Sequence, residues 1–158
     1  MALTSGIHKR QNDNNIGYDN MQYRTIDIKT INQEGIGGLS FFEAEKDIPF
    51  PIKRIYYITD VPMGIKRGFH AHKELKQLLF CPYGKICITL DDGINREDII
   101  LDAPSKGIVI ESPLWREMLW LEENSVLCVA ASDYYSEQDY IRDYDEFIEF
   151  QKAKEIAQ

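Results

Sequence analysis

Three histidines occur in 158 residues, and two of them stand together as His70-Ala71-His72. On a strand, residues i and i+2 project from the same face, so this segment carries two imidazoles side by side. An imidazole titrates near pH 6.5. At neutrality it can ligate a divalent metal, or it can take a proton and give it back. The basic and phenolic residues nearby are of the kind an anionic ligand needs. Arg67 opens the histidine segment and Lys73 closes it, Arg54 and Tyr56 share one face of their strand, and Arg116 follows Trp115. A guanidinium grips phosphate oxygens through paired hydrogen bonds. Taken singly, each such Arg or Lys reads as a solvated charge and each Tyr as a core aromatic. His8, in a polar stretch, reads as a solvated residue.

Spacing decides between metal and proton. The first motif of the cupin barrels runs Gly, five residues, His-x-His, three or four residues, Glu, six residues, Gly. Gly64, His70, His72 and Gly84 keep that frame, but Gln77 holds the carboxylate position. The second motif runs Gly, five residues, Pro-x-Gly, two residues, His, three residues, Asn. Gly107 and Pro113 keep it, while Trp115, Met118 and Glu122 replace the Gly, His and Asn. A catalytic divalent site needs about three protein ligands. Two imidazoles, an amide and a thioether are a poor set. The retained frame therefore predicts a pocket without metal or cofactor, with Gln77 in its lining. Histidine without metal suits proton abstraction beside a carbonyl, with Tyr, Arg or the second His as donors to the enediolate. Two idle core histidines are the weaker alternative, because burying imidazoles without partners is costly.

The elements that must position these residues are short strands broken by turn chemistry. Nine are expected, at Tyr23–Lys29, Leu39–Ala44, Arg54–Thr59, Gln77–Cys81, Lys85–Leu90, Asp98–Leu101, Gly107–Ile110, Glu117–Leu121 and Val126–Ala130. Asp91-Asp92-Gly93 signals a hairpin, because Asp-Gly accepts positive φ cheaply. Such spacing predicts an all-β, cupin-type jelly-roll barrel or sandwich. A closing helix should present Tyr144, Phe147, Ile148 and Lys152 on one face, capped by Asp143 or Asp145. Residues 1–20 read as a polar N-terminal tail, and 21–158 as a single domain.

Composition narrows the partners. With 18 basic and 26 acidic residues the net charge is −8, which argues against nucleic acid and anionic membranes. No apolar run approaches the roughly 20 residues of a membrane span. Cys81, Cys87 and Cys128 sit in apolar strings without a close pair, as thiols do in a reducing compartment. With no long apolar leader, a cytoplasmic location is expected.

Several segments together resemble the nucleotide-sugar 3,4-ketoisomerases. They are Ile48–Ile58, Arg67-Gly68-Phe69-His70-Ala71-His72-Lys73, Lys76–Cys81, Leu90–Gly93, Pro113–Met118 and Ala131–Arg142. The resemblance implies a metal-independent cupin acting on dTDP-4-keto-6-deoxyglucose. The carbonyl moves from C4 to C3 through an enediol, giving the substrate of a 3-aminotransferase. It implies a homodimer with exchanged N-terminal strands. His70 would be the base, Tyr56 and Arg67 would polarise the oxygens, and His72 would support His70. Arg54, His72, Lys73, Gln77 and Arg116 are the expected substrate-binding residues. Ile36 and Arg116 fall where the sugar end of the pocket is expected and bear on the gluco or galacto outcome at C4. A non-metal sugar-nucleotide epimerase, a binding-only cupin and a metal-dependent dioxygenase are the rival readings.

Overall fold

Period-two alternation becomes strand wherever the turn residues leave room for it. The computed structural model describes residues 21–111 and 113–157, so the expected N-terminal tail lies outside the described residues. In chain order the strands are β1 (Tyr23–Asp27), β2 (Lys29–Gln33), β3 (Gly37–Phe41), β4 (Arg54–Ile58), β5 (Lys66–His72) and β6 (Gln77–Tyr83). There follow β7 (Ile86–Asp91), β8 (Arg96–Leu101), β9 (Lys106–Ile110), β10 (Trp115–Trp120), β11 (Val126–Ala131) and β12 (Tyr140–Ile141). One helix, α1 (Tyr144–Ile156), ends the described chain.

Two antiparallel sheets of five strands face one another, β1-β9-β6-β11-β4 and β12-β5-β10-β7-β8. The main core lies between them. Leu79, Ile108, Val129 and Leu127 come from the first sheet, and Ile86, Ile88, Leu90, Met118 and Trp120 from the second. The expected jelly-roll sandwich is found, with open sheets rather than a closed barrel. Alternation then sets the outer faces. Leu78, Val109 and Ala130 turn outward under Ile48 and Phe50. Ala71, Trp115 and Ile141 turn outward under Phe147 of α1. Asp143 caps that helix, its Oδ1 accepting the Glu146 N–H at 3.0 Å. Asp145 lies in the first turn instead.

The Asp91-Asp92-Gly93 signal is the β7–β8 turn. Gly93 has φ +96°, and Asp92 Oδ1 accepts the N–H groups of Ile94 and Asn95 at 2.8 and 2.7 Å. The expected run Tyr23–Lys29 is instead two strands. Ile28 between them is buried, and its N–H donates to Ser105 O at 2.7 Å. β1 then pairs with β9 of the same chain, whereas β2 and β3 form a separate ribbon joined to neither sheet. Leu39–Ala44 likewise shifts to Gly37–Phe41, with Ala44 left in an isolated bridge to Ile48.

Candidate active site

The inner faces of β4, β5, β6 and β10 converge at one end of the sandwich. Arg54 pairs with Ala131 and Ala131 with Gln77 in the first sheet. Arg116 pairs with His70 in the second. A bulge sets that last register. Between Glu117↔Gly68 and Arg116↔His70 the β5 strand carries one extra residue, Phe69. Gly68 and Phe69 have φ of +95° and +56°, so two successive left-handed residues precede the histidines. A Cβ at Gly68 would stand 2.7 Å from Met118 Sδ and 2.8 Å from Arg116 O. Glycine is therefore required there, and the extra residue re-aims everything that follows it.

Arg116 is buried, 1% exposed, and held on several sides. Its Nε and Nη2 donate to Leu114 O at 3.3 and 3.0 Å. Its Nη1 donates to Gln77 Oε1, and Gln77 Nε2 donates to the Tyr56 hydroxyl at 2.9 Å. The amide at position 77 thus links a phenol to a cation, using one end as donor and the other as acceptor. Burial pushes even the Arg116 guanidinium down, to about 10. Burial also raises the Tyr56 phenol above its ordinary value, so it stays protonated.

The two imidazoles meet edge to face with centroids 5.0 Å apart. Burial, then the Arg116 charge, lowers His70 to about 4. The same two causes hold His72 far below the ordinary histidine range. Both rings are neutral at pH 7. His72 Nδ1 lies 2.9 Å from Asp139 Oδ2, and its Nε2 is buried without a hydrogen-bond partner. Tyr140 packs on both rings, at 5.0 Å from His70 and 4.3 Å from His72.

The other expected residues divide. Arg54 is half-buried, its guanidinium 5.3 Å from the Tyr56 ring and 5.7 Å from the Tyr135 ring, with Nε buried and unpartnered. Arg67 is exposed, opposite Met118 in the ladder rather than against an imidazole. Lys73 is exposed too. Its Nζ donates to Gln138 O and its N–H to Asp139 O, both at 2.9 Å, so it ties down the segment beyond β11. Ile36, at the tip of the β2–β3 ribbon, is exposed.

That segment holds residues sequence reasoning passed over. Glu137 accepts from Arg142 at 2.6 and 3.0 Å and from the Tyr135 hydroxyl. Arg142 lies 4.2 Å over the Tyr140 ring. The density of tyrosines and charges in Tyr134–Arg142 was the available signal. A two-residue strand leaves no periodicity to show that Tyr140 faces His72. Among the described residues no group of three or more His, Cys, Asp or Glu is placed to hold a metal.

Residues 21–152 match a family model described as FdtA, WxcM-like, C-terminal. A curated relative from Aneurinibacillus thermoaerophilus, TDP-4-oxo-6-deoxy-alpha-D-glucose-3,4-oxoisomerase, is 45% identical over 127 residues, covering 80% of this chain and 91% of that one. The crystal structure of QdtA, a sugar 3,4-ketoisomerase from Thermoanaerobacterium thermosaccharolyticum in complex with TDP, is 44% identical. It superposes with a TM-score of 0.80, covering 84% of this chain and 96% of that one. A histidine-to-asparagine mutant of the same QdtA, at 44% identity, was solved with TDP-4-keto-6-deoxyglucose bound. It has a TM-score of 0.80 and covers 83% of this chain and 94% of that one.

Proposed function

This chain belongs to the FdtA family, WxcM-like, C-terminal, and is an isomerase, and on that premise we propose that it moves the carbonyl of TDP-4-keto-6-deoxyglucose from C4 to C3 with His70 as the base. The observation that carries the reading is His70 itself, half-buried, neutral and paired across the ladder with the buried guanidinium of Arg116. The C3 and C5 hydrogens both lie beside the C4 carbonyl and are acidic, and moving the carbonyl to C3 requires loss of the one at C3. His70 takes it as a proton, the C–H electrons become the C3–C4 double bond, and the charge passes to O4. An anionic substrate offsets the Arg116 charge and lifts His70 back toward the range in which it holds a proton. The proton on His70 exchanges with solvent while the enediolate lasts; delivery of a proton from His70 to C4, with transfer of the O3 hydroxyl proton to O4, leaves the carbonyl at C3 and every atom accounted for.

Arg116, immobilised by Gln77 and Leu114, and the protonated Tyr56 supply fixed donors to the oxygen that gains charge. His72 stands beside them, its Nε2 without a hydrogen-bond partner among the described residues. Arg54, with its unpartnered Nε, and the exposed Arg67 are left for the diphosphate, and Lys73 adds its charge nearby while its Nζ holds Gln138 O. The test is turnover of TDP-4-keto-6-deoxyglucose in D₂O, with the product trapped by a 3-aminotransferase. Deuterium should appear at C4 of the product. His70→Asn should lose turnover and exchange while still binding TDP. Full activity in that variant, or no turnover by the wild type, defeats the reading.

The working unit of this reading is a homodimer. The β2–β3 ribbon supports it. Ile31 and Leu39 are cross-strand partners and are 60% and 62% exposed. On the edge strand β4, Ile55 and Tyr57 are 64% and 70% exposed. Because β1 completes its own sheet, the ribbon is the element free to be exchanged. The free thiols Cys81, Cys87 and Cys128 fit a reducing cytoplasm.

A further inference from the structure

We infer that Asp139 is a positioning residue that sets the tautomer of His72 and so keeps its Nε2 an open acceptor for a substrate hydroxyl. The inference rests on the ketoisomerase reading for its substrate and on geometry for the rest.

Asp139 is clamped on both sides. Its Oδ1 accepts the Glu74 N–H at 2.8 Å. Its carbonyl oxygen accepts the Lys73 N–H at 2.9 Å. The next residue, Tyr140, pairs with His72 across β12 and β5. The remaining oxygen, Oδ2, is thereby fixed 2.9 Å from His72 Nδ1. Oδ2 takes the part of acceptor in that contact, so Nδ1 carries the hydrogen. In a neutral ring the lone pair is then on Nε2. That atom is fully enclosed, on a side chain 1% exposed, and no described residue donates to it. A buried acceptor left open costs stability. It receives a hydroxyl hydrogen once substrate entry parts the side chains that enclose it, and the migration of a carbonyl between adjacent carbons requires a hydroxyl to give one up. The opposite tautomer would set a lone pair against the carboxylate and present an N–H to the substrate.

Asp139→Asn tests this, because the replacement has a determined orientation. The Glu74 N–H still needs an acceptor, so the amide oxygen stays on that side and the amide NH₂ faces His72 Nδ1. The ring must then carry its hydrogen on Nε2. The expected result is a switch of the His72 ring ¹⁵N shifts from the Nδ1–H to the Nε2–H pattern. With it, kcat should fall on the order of 10³-fold or more, as for a misdirected imidazole in a catalytic triad. KM and melting temperature should move little. Unchanged kcat with a switched tautomer, or reduced kcat without a switch, overturns the assignment. So does an Nε2–H tautomer of His72 in the wild type, a measurement that stands even if the variant fails to fold. Failure of the wild type to turn over the 4-keto sugar would instead sink the ketoisomerase reading and leave the tautomer result in place.

Discussion

His70, the base of the proposed reaction, has surroundings that work against its being charged. Burial comes first and the Arg116 cation second, and together they bring its pKa to about 4. In the proposed reaction the neutral ring is the active form, so protonation should abolish activity. The acid limb of kcat/KM reports the free enzyme. That limb is expected well below the 6.5 of an ordinary imidazole, with kcat/KM flat from pH 8 to below pH 6. A pH–rate profile turning down at 6.5 or higher would show that His70 is not the shielded base. The same scale explains Gln77. A carboxylate there could not donate to Tyr56 and accept from Arg116 at once, whereas an amide does both. What sequence comparison registers as a lost ligand is, in the folded protein, the link between a fixed cation and a phenol.

At the scale of the element, the decisive feature is the bulge in β5. Without an extra residue, Arg67 and His70 would lie on opposite faces of the strand. With it, His70 pairs with Arg116 and Arg67 with Met118, two residues on one face of β10. Gly68→Ala places a methyl against Met118 Sδ and Arg116 O at positive φ, which costs about 1–3 kcal/mol. Because the cost falls where the histidines are aimed, kcat should drop together with the melting temperature. Gly93→Ala, also at positive φ but in the β7–β8 turn, should lower the melting temperature and spare kcat. Equal kcat losses in the two variants, measured alongside thermal melts, would show that the bulge has no special part in aiming His70.

At the scale of the whole molecule, an acidic protein concentrates Arg54, Arg67, Lys73 and Arg116 at or near one end of a sandwich. The apolar surface of the β2–β3 ribbon and of β4 lies on the outside of the same chain. If the proposed homodimer uses the ribbon, the wild type sediments as a dimer and Ile31→Lys with Leu39→Glu should sediment as a monomer, with the single-chain fold intact by circular dichroism. A variant that sediments as the wild type would remove the ribbon from the interface.

Strands, turns and the closing helix were legible in the residues because their causes are local. Alternation of apolar side chains, Asp-Gly at a turn and an Asp before a helix act over a few residues. His70-x-His72 on a frame without its carboxylate is likewise a local pattern, and it is what points the residues toward the proposed proton chemistry. The tertiary structure decided which groups complete the site. Gln77 and Arg116 are 39 residues apart, and His72 and Asp139 are 67 apart. Only the packing of β5, β6, β10 and the two-residue β12 brings them within a hydrogen bond. The bulge at Phe69 belongs to the same class, since the slip of one residue is settled by what β10 offers opposite it. Hydrogen bonds and burial act through distance in space, and a linear pattern does not carry that distance.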